Sequence, residues 1–259
     1  MRFSGQATER KGYANIEDWY LGDSGQYLLG EIEARLDPIL ATTFGYYALQ
    51  LGCPGLAGQL QKACRVKHCF TLGESGPAAQ IQASPSMLPI ASDSVDLVIL
   101  MHHLSNNSEP HAILREVFRI LIPEGKLVII DFNPVSLWGL RHGLQSWLEK
   151  IPFKGHFYTA KRIDDWMRLL GFDQHRLFRV GYQPPILKPR LVRHLGWLEK
   201  GMRNWMPLFG TLNLMVYSKS ISPMTPVRHR WVTRKLIPAK VARPSVGRGM
   251  KYDPKNQGL

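Results

Sequence analysis

MLPIASDSVDLVILMHHL (residues 87–104), followed by EPHAILREVFRILIPEGKLVIIDFNP (109–134), is the stretch on which the fold turns. Val95–Leu100 and Lys126–Phe132 are nearly unbroken apolar runs of strand length, as strands buried on both faces require. Between them, Pro110 opens a helical pattern with Ile113, Leu114, Val117, Ile120 and Leu121 on one face. Proline suits the first turn of a helix, where its missing N–H leaves nothing unpaired. Pro123-Glu124-Gly125 then turns the chain into the second run. A strand, a helix and a strand in this order form a βαβ unit, and so a mainly parallel sheet.

The pattern extends both ways. Upstream, Leu28, Leu29, Ile32, Leu36, Ile39 and Leu40 recur at helical spacing, predicting an amphipathic lead-in helix from about Gly25 to Thr43, stopped by Gly45. Tyr46–Leu51 reads as a short strand buried on both faces. Gly52-Cys53-Pro54-Gly55 reads as a turn, with a helix-like stretch running on through Cys64. His68–Leu72 and Gln80–Ala83 are shorter strand candidates. Downstream, helices are expected over Leu137–Glu149 and Ala160–Leu170, the latter capped by Gly171. Strands at Phe172–Gly181 and Leu212–Lys219 flank a helix around Val192–Trp205. Beyond Ser220 the periodicity fails among prolines, and that segment is expected to be disordered. The expected organisation is a helical lead-in (1–44), a main α/β domain (45–220) with a helical insertion around 135–170, and a basic tail (221–259).

Composition narrows the class. Of 259 residues, 44% are hydrophobic and 20% charged, as in ordinary globular domains. The first residues lack the apolar core of a secretory signal, and no apolar run reaches membrane-spanning length, so a cytoplasmic location is expected. Cys53, Cys64 and Cys69 form no C-x-x-C pair and read as reduced thiols, with no metal site. The net charge of +13 is uneven: residues 221–259 hold nine Lys or Arg against Asp253 alone. Arg228, Arg230, Trp231, Arg234 and Lys235 mix cations with an aromatic, a composition suited to a polyanion, either RNA or an anionic membrane surface.

Residues 87–134 resemble the second half of the type 11 methyltransferase domain, the group that includes quinone-biosynthesis methyltransferases. Leu88-Pro89 and Asp96 match its "LPF…sfDlV" text, Arg115-Glu116, Arg119, Leu121, Pro123 and Gly125 match "REvxRvLkPgG", and His103 matches between them. Much of the remaining chain, to about Trp205, is similar to an uncharacterised bacterial subgroup of the same superfamily. The resemblance implies a Rossmann-like class I methyltransferase fold: a mainly parallel seven-stranded sheet with one antiparallel strand and helices on both faces. It also implies S-adenosyl-L-methionine as cofactor.

Carried onto this sequence, the family's first-strand "vLDlGcGtG" places Gln50 at the acid, Gly52 at the first glycine, Pro54 at the second and Leu56 at the third. Gln50 keeps an oxygen for an ammonium group without a full charge. Pro54 stiffens the loop and removes an amide donor. The resemblance assigns Gly52, Cys53 and Gly55 to the cofactor loop. Glu74 stands where the ribose-binding acid belongs, although an exposed turn residue is an equal reading. Ser84 stands at the adenine-contacting position, with Met87 and Leu88 as an apolar wall. Met101 and His102, after the fourth strand, lie where open α/β sheets hold ligands.

Methyl transfer from a sulfonium needs alignment more than a fixed catalytic motif. His102 and Asp131 are the candidate proton-handling groups, Asp131 reading also as a helix cap and His103 as a packed turn residue. Trp138, Trp147 and Phe153 could wall an acceptor pocket or pack in the core. Three activities are compatible with the residues: methylation of a small or lipid-like acceptor, methylation of RNA or protein with help from the tail, and a catalytically inactive binding module of the same fold.

Overall fold

The two apolar runs either side of Pro110 lie together at the centre of a seven-stranded sheet. The computed structural model describes residues 16–73 (Asp23 and Ser24 by backbone alone), 78–136, 139, 155–182, 205 and 207–220. The strands are β1 (Phe44–Leu51), β2 (Arg65–Gly73), β3 (Ile81–Gln82), β4 (Val95–Met101), β5 (Leu121–Phe132), β6 (Phe172–Val180) and β7 (Leu212–Lys219), in the order β3-β2-β1-β4-β5-β7-β6. β1 pairs parallel with β2 and β4, β2 with β3, and β4 with β5. β7 runs antiparallel to both β5 and β6, giving the one reversed strand expected.

Helices cover both faces: α1 (Asp23–Leu40) and the short α2 (Ala57–Leu60) on one, α3 (Pro110–Ile120) and α4 (Ala160–Leu170) on the other. The period-two geometry of a strand explains the division. Leu97, Ile99 and Met101 of β4 join Leu29, Ile32 and Leu36 of α1 in one core. Val98 and Leu100, the intervening residues, join Ile113 and Leu114 of α3 and Ile163 of α4 in the other. Each such side chain contributes about 1.5–3 kcal/mol when fully buried. The described residues all belong to one compact unit, Met1–Ser222.

Several boundaries differ from the sequence reading, each for a local reason. α1 ends at Leu40, before Gly45, because the Thr42 and Thr43 hydroxyls donate to Ile39 O at 2.9 and 2.7 Å and close its last turn. Gly45 instead lies inside β1, where a Cβ would stand 2.2 Å from Asp96 Cγ. The Asp96 carboxylate accepts from the N–H groups of Tyr46 and Tyr47 at 2.8 and 2.9 Å, clamping β4 to β1. The Pro123–Gly125 turn is a kink within β5: Glu124 takes φ 61° and the register shifts between Val95 and Leu97. β1 is buried on both faces only in its second half. Phe44 and Tyr46 on one face and Tyr47 on the other are exposed. Gly171 caps α4 at φ 90°, as expected.

The expected helices at Leu137–Glu149 and Val192–Trp205, apart from a few residues, and the tail 221–259 lie outside the described residues, as do Glu74, Trp138, Trp147 and Phe153.

Candidate active site

The C-terminal ends of β1, β4 and β5 meet at one edge of the sheet, and the loops leaving them build the site. After Leu51 the chain reverses through two left-handed residues, Gly52 (φ 82°) and Cys53 (φ 47°). Pro54 then starts a 3-10 turn over Pro54–Leu56 that leads into α2. Gly52 supplies the positive φ at little steric cost.

Gln50 closes this loop on itself. Its Nε2 donates to Gly52 O at 3.3 Å and Cys53 O at 3.0 Å, and its Oε1 accepts from Gln61 Nε2 at 3.3 Å. A carboxylate has no proton to give those carbonyls, which accounts for an amide at this position. The Gln50 oxygen expected to receive a ligand's ammonium is therefore engaged with α2's exit turn. The Gly55 N–H, in turn, donates to Glu17 Oε1 at 3.0 Å.

β4 delivers Met101 and His102, both fully buried, with His102 in the left-handed region at φ 52°. Its ring stacks on Phe132 at 4.3 Å between centroids, and its Nε2 shares a 2.8 Å hydrogen bond with the Tyr20 hydroxyl. Its Nδ1 faces Asp131 Oδ1 at 3.7 Å and has no hydrogen-bond partner. Asp131, at the end of β5, is itself fixed. It accepts from Ser105 N at 3.1 Å, from the Ser105 hydroxyl and from Phe132 N at 2.9 Å. A buried line thus runs Tyr20–His102–Asp131–Ser105. Burial, and then the nearby Cys53 and Asp131, push the Tyr20 phenol well above its ordinary value. Burial likewise pushes the Cys53 thiol up, ahead of the Glu17 and Asp131 charges, so it remains protonated. His103 is a packed turn residue, held down to about 4 by burial.

Gln50, Gly52, Cys53, Gly55, Met101 and His102 are brought together. Leu88 is not with them. It lies in the core beneath α3, because its N–H donates to Glu116 Oε2 at 3.1 Å and its carbonyl accepts from Arg119 Nη2 at 3.0 Å. Met87 is 78% exposed and Ser84, also exposed, bonds the Ser86 hydroxyl, so Met87 and Leu88 form no common wall. The sequence reading missed Glu17, Tyr20, Gln61 and Ser105. Ile16, Trp19 and Tyr20 stand at helical spacing just ahead of α1, and that was the available signal.

Access to the site is decisive. Gln50, Cys53, Met101 and His102 are each 0% exposed, so the described arrangement leaves none of them open to solvent. Tyr20, also 0% exposed, lies in the same core as Cys53, Leu56, Met101 and Phe132. A cavity of about 240 Å³ does open elsewhere, lined by Tyr47, Leu49, Phe70, Ile81, Ile90 and Val95. Val95 is the first residue of β4, so that cavity lies toward the opposite end of the strand from His102.

A family pattern described as a methyltransferase domain matches residues 57–129. With the sheet order and the loop after β1, the chain belongs to the class I S-adenosylmethionine-dependent methyltransferase family. Within it, the chain is 32% identical to Uncharacterized protein YafS of Escherichia coli (strain K12) over 198 residues, 75% of this chain and 77% of that one. It is 36% identical to Demethylmenaquinone methyltransferase of Chlamydia pneumoniae over 59 residues, 23% of this chain and 26% of the relative. An S-adenosylmethionine dependent methyltransferase from Mesorhizobium loti superposes with a TM-score of 0.53 at 18% identity, over 74% of this chain and 99% of that structure. The cofactor this membership implies is S-adenosylmethionine. Gln50, Cys53, Met101 and His102 are closed off from solvent in the arrangement described, so cofactor binding against them requires packed residues to move.

Proposed function

We propose that the protein is a methyltransferase for a small or lipid-like acceptor, its crevice lying at the ends of β1, β4 and β5. The observation that carries this reading is the convergence of the left-handed Gly52–Cys53 loop with the His102–Asp131 pair on adjacent strand ends of the sheet. Ligands of open α/β sheets bind beyond the carboxyl ends of the strands. His102 is the proton acceptor in this reading, with Nε2 free to meet an acceptor hydroxyl once Tyr20 leaves it. Asp131, fixed by Ser105, is the positioning carboxylate on the Nδ1 side, at a separation that must tighten for a hydrogen bond. The lipid-like acceptor draws support from the demethylmenaquinone enzyme's similarity, which is limited to 23% of this chain.

A non-catalytic binding module is the second reading, favoured by the closed crevice and by Gln50 in place of an acid. Isothermal titration with S-adenosylmethionine separates the two. Saturable heat supports the enzyme. Its absence at millimolar cofactor, in the wild type and in a variant with the crevice unblocked, leaves the binding module.

A further inference from the structure

We propose that residues 16–22 are a lid that fills the cofactor crevice as an intramolecular stand-in for the ligand, so that cofactor binding must displace it. The inference rests on the methyltransferase reading of the crevice and accounts for the burial of Cys53, Met101 and His102. Ile16 and Tyr20 supply the apolar filling, in one core with Cys53, Leu56, Met101 and Phe132. The polar groups of the lid take up site atoms that a ligand would need. The Glu17 carboxylate accepts from the Gly55 N–H at 3.0 Å, a donor on the loop that an amino-acid carboxylate would also seek. The Tyr20 hydroxyl occupies His102 Nε2 at 2.8 Å. Meanwhile Leu21, on the outer side, is 71% exposed.

Among the described residues, aromatic packing and backbone hydrogen bonds hold the lid. Trp19 packs edge-on to Tyr20 at 5.0 Å and to Phe132 at 6.3 Å. Gln26 Nε2 donates to Tyr20 O at 2.9 Å, and Gly22 N to Trp19 O at 3.1 Å. Gly25, in the first turn of α1, is the latch. A Cβ there would stand 2.4 Å from both Trp19 O and Tyr20 Cα, so only glycine lets these backbones approach. A lid closed nine-tenths of the time lowers apparent affinity about tenfold, and opening variants recover that factor.

The test titrates S-adenosylmethionine into wild type, Tyr20→Ala and Gly25→Ala, and follows amide hydrogen exchange at Gly55 and across residues 16–22. Gly25→Ala leaves every side chain of the lid in place and acts only on its closure. The expected result is faster Gly55 exchange in both variants, cofactor affinity raised about tenfold or more, and faster exchange of 16–22 in wild type when cofactor is added. Measurable wild-type binding that both variants leave equal or weaken overturns the lid and spares the methyltransferase reading. Faster Gly55 exchange with no cofactor binding in any of the three proteins overturns the methyltransferase reading, and the proposal with it. Near-ultraviolet circular dichroism identifies a variant that has lost its fold, and the other variant then decides.

Discussion

Single residues here are chosen for what they donate and accept. Gln50 is the clearest instance, because its amide protons go to two loop carbonyls. Gln50→Glu sets a carboxylate against those carbonyls at a fully buried position, at a cost of about 2–5 kcal/mol. Urea midpoints should fall accordingly, and further as pH rises and the new acid ionises. His103 makes a second residue-scale prediction. Burial holds its folded-state value to about 4, below the 6.5 of the free side chain. The unfolded chain therefore binds the proton first as pH falls, and stability present above 6.5 is lost progressively toward pH 4. The loss is on the order of 3 kcal/mol, and His103→Leu should show a shallower dependence of unfolding free energy over that window.

Elements are joined by residues that the family resemblance had singled out, and their work is structural. Glu116 and Arg119 of α3 pair at 2.8 Å, and Arg119 Nη1 reaches Ile90 O at 2.8 Å. With the Leu88 contacts they stitch the loop before β4 onto α3. The Arg119 guanidinium also holds the Glu116 carboxyl below its usual range, an effect that lends stability above that range and loses it in acid. Arg119→Ala removes the guanidinium from one carboxylate and two carbonyls and should cost about 2 kcal/mol, the pair being partly solvated. Hydrogen exchange would report a faster Leu88 amide. Motif text of this kind was legible as fold because it fixes strand and helix ends. It was misleading as a guide to ligand contacts, since Leu88 is drawn into the core by the same bonds.

For the whole molecule, the uneven charge is the distinguishing property. No described helix is long and apolar enough to cross a membrane, and the described residues contain no cluster of three metal-ligating side chains. Eight of the thirteen net positive charges fall in residues 221–259. Deleting that segment should lower the salt concentration at which the protein leaves heparin, because each lost cation is one fewer released counterion. Unchanged retention would remove the polyanion role from the tail.

The sequence by itself determined the strand–helix–strand unit around Pro110, the mainly parallel sheet with its late antiparallel strand, and the family. Apolar period and turn residues are local properties, and they survive without knowledge of neighbours. Only the tertiary structure decided that Gln50 is spent on its own loop, that Leu88 turns inward, and that Tyr20, 82 positions earlier in the chain, sits against His102. Those outcomes depend on which side chains compete for the same donors and the same volume once distant segments are packed together, and no spacing along the chain records that competition.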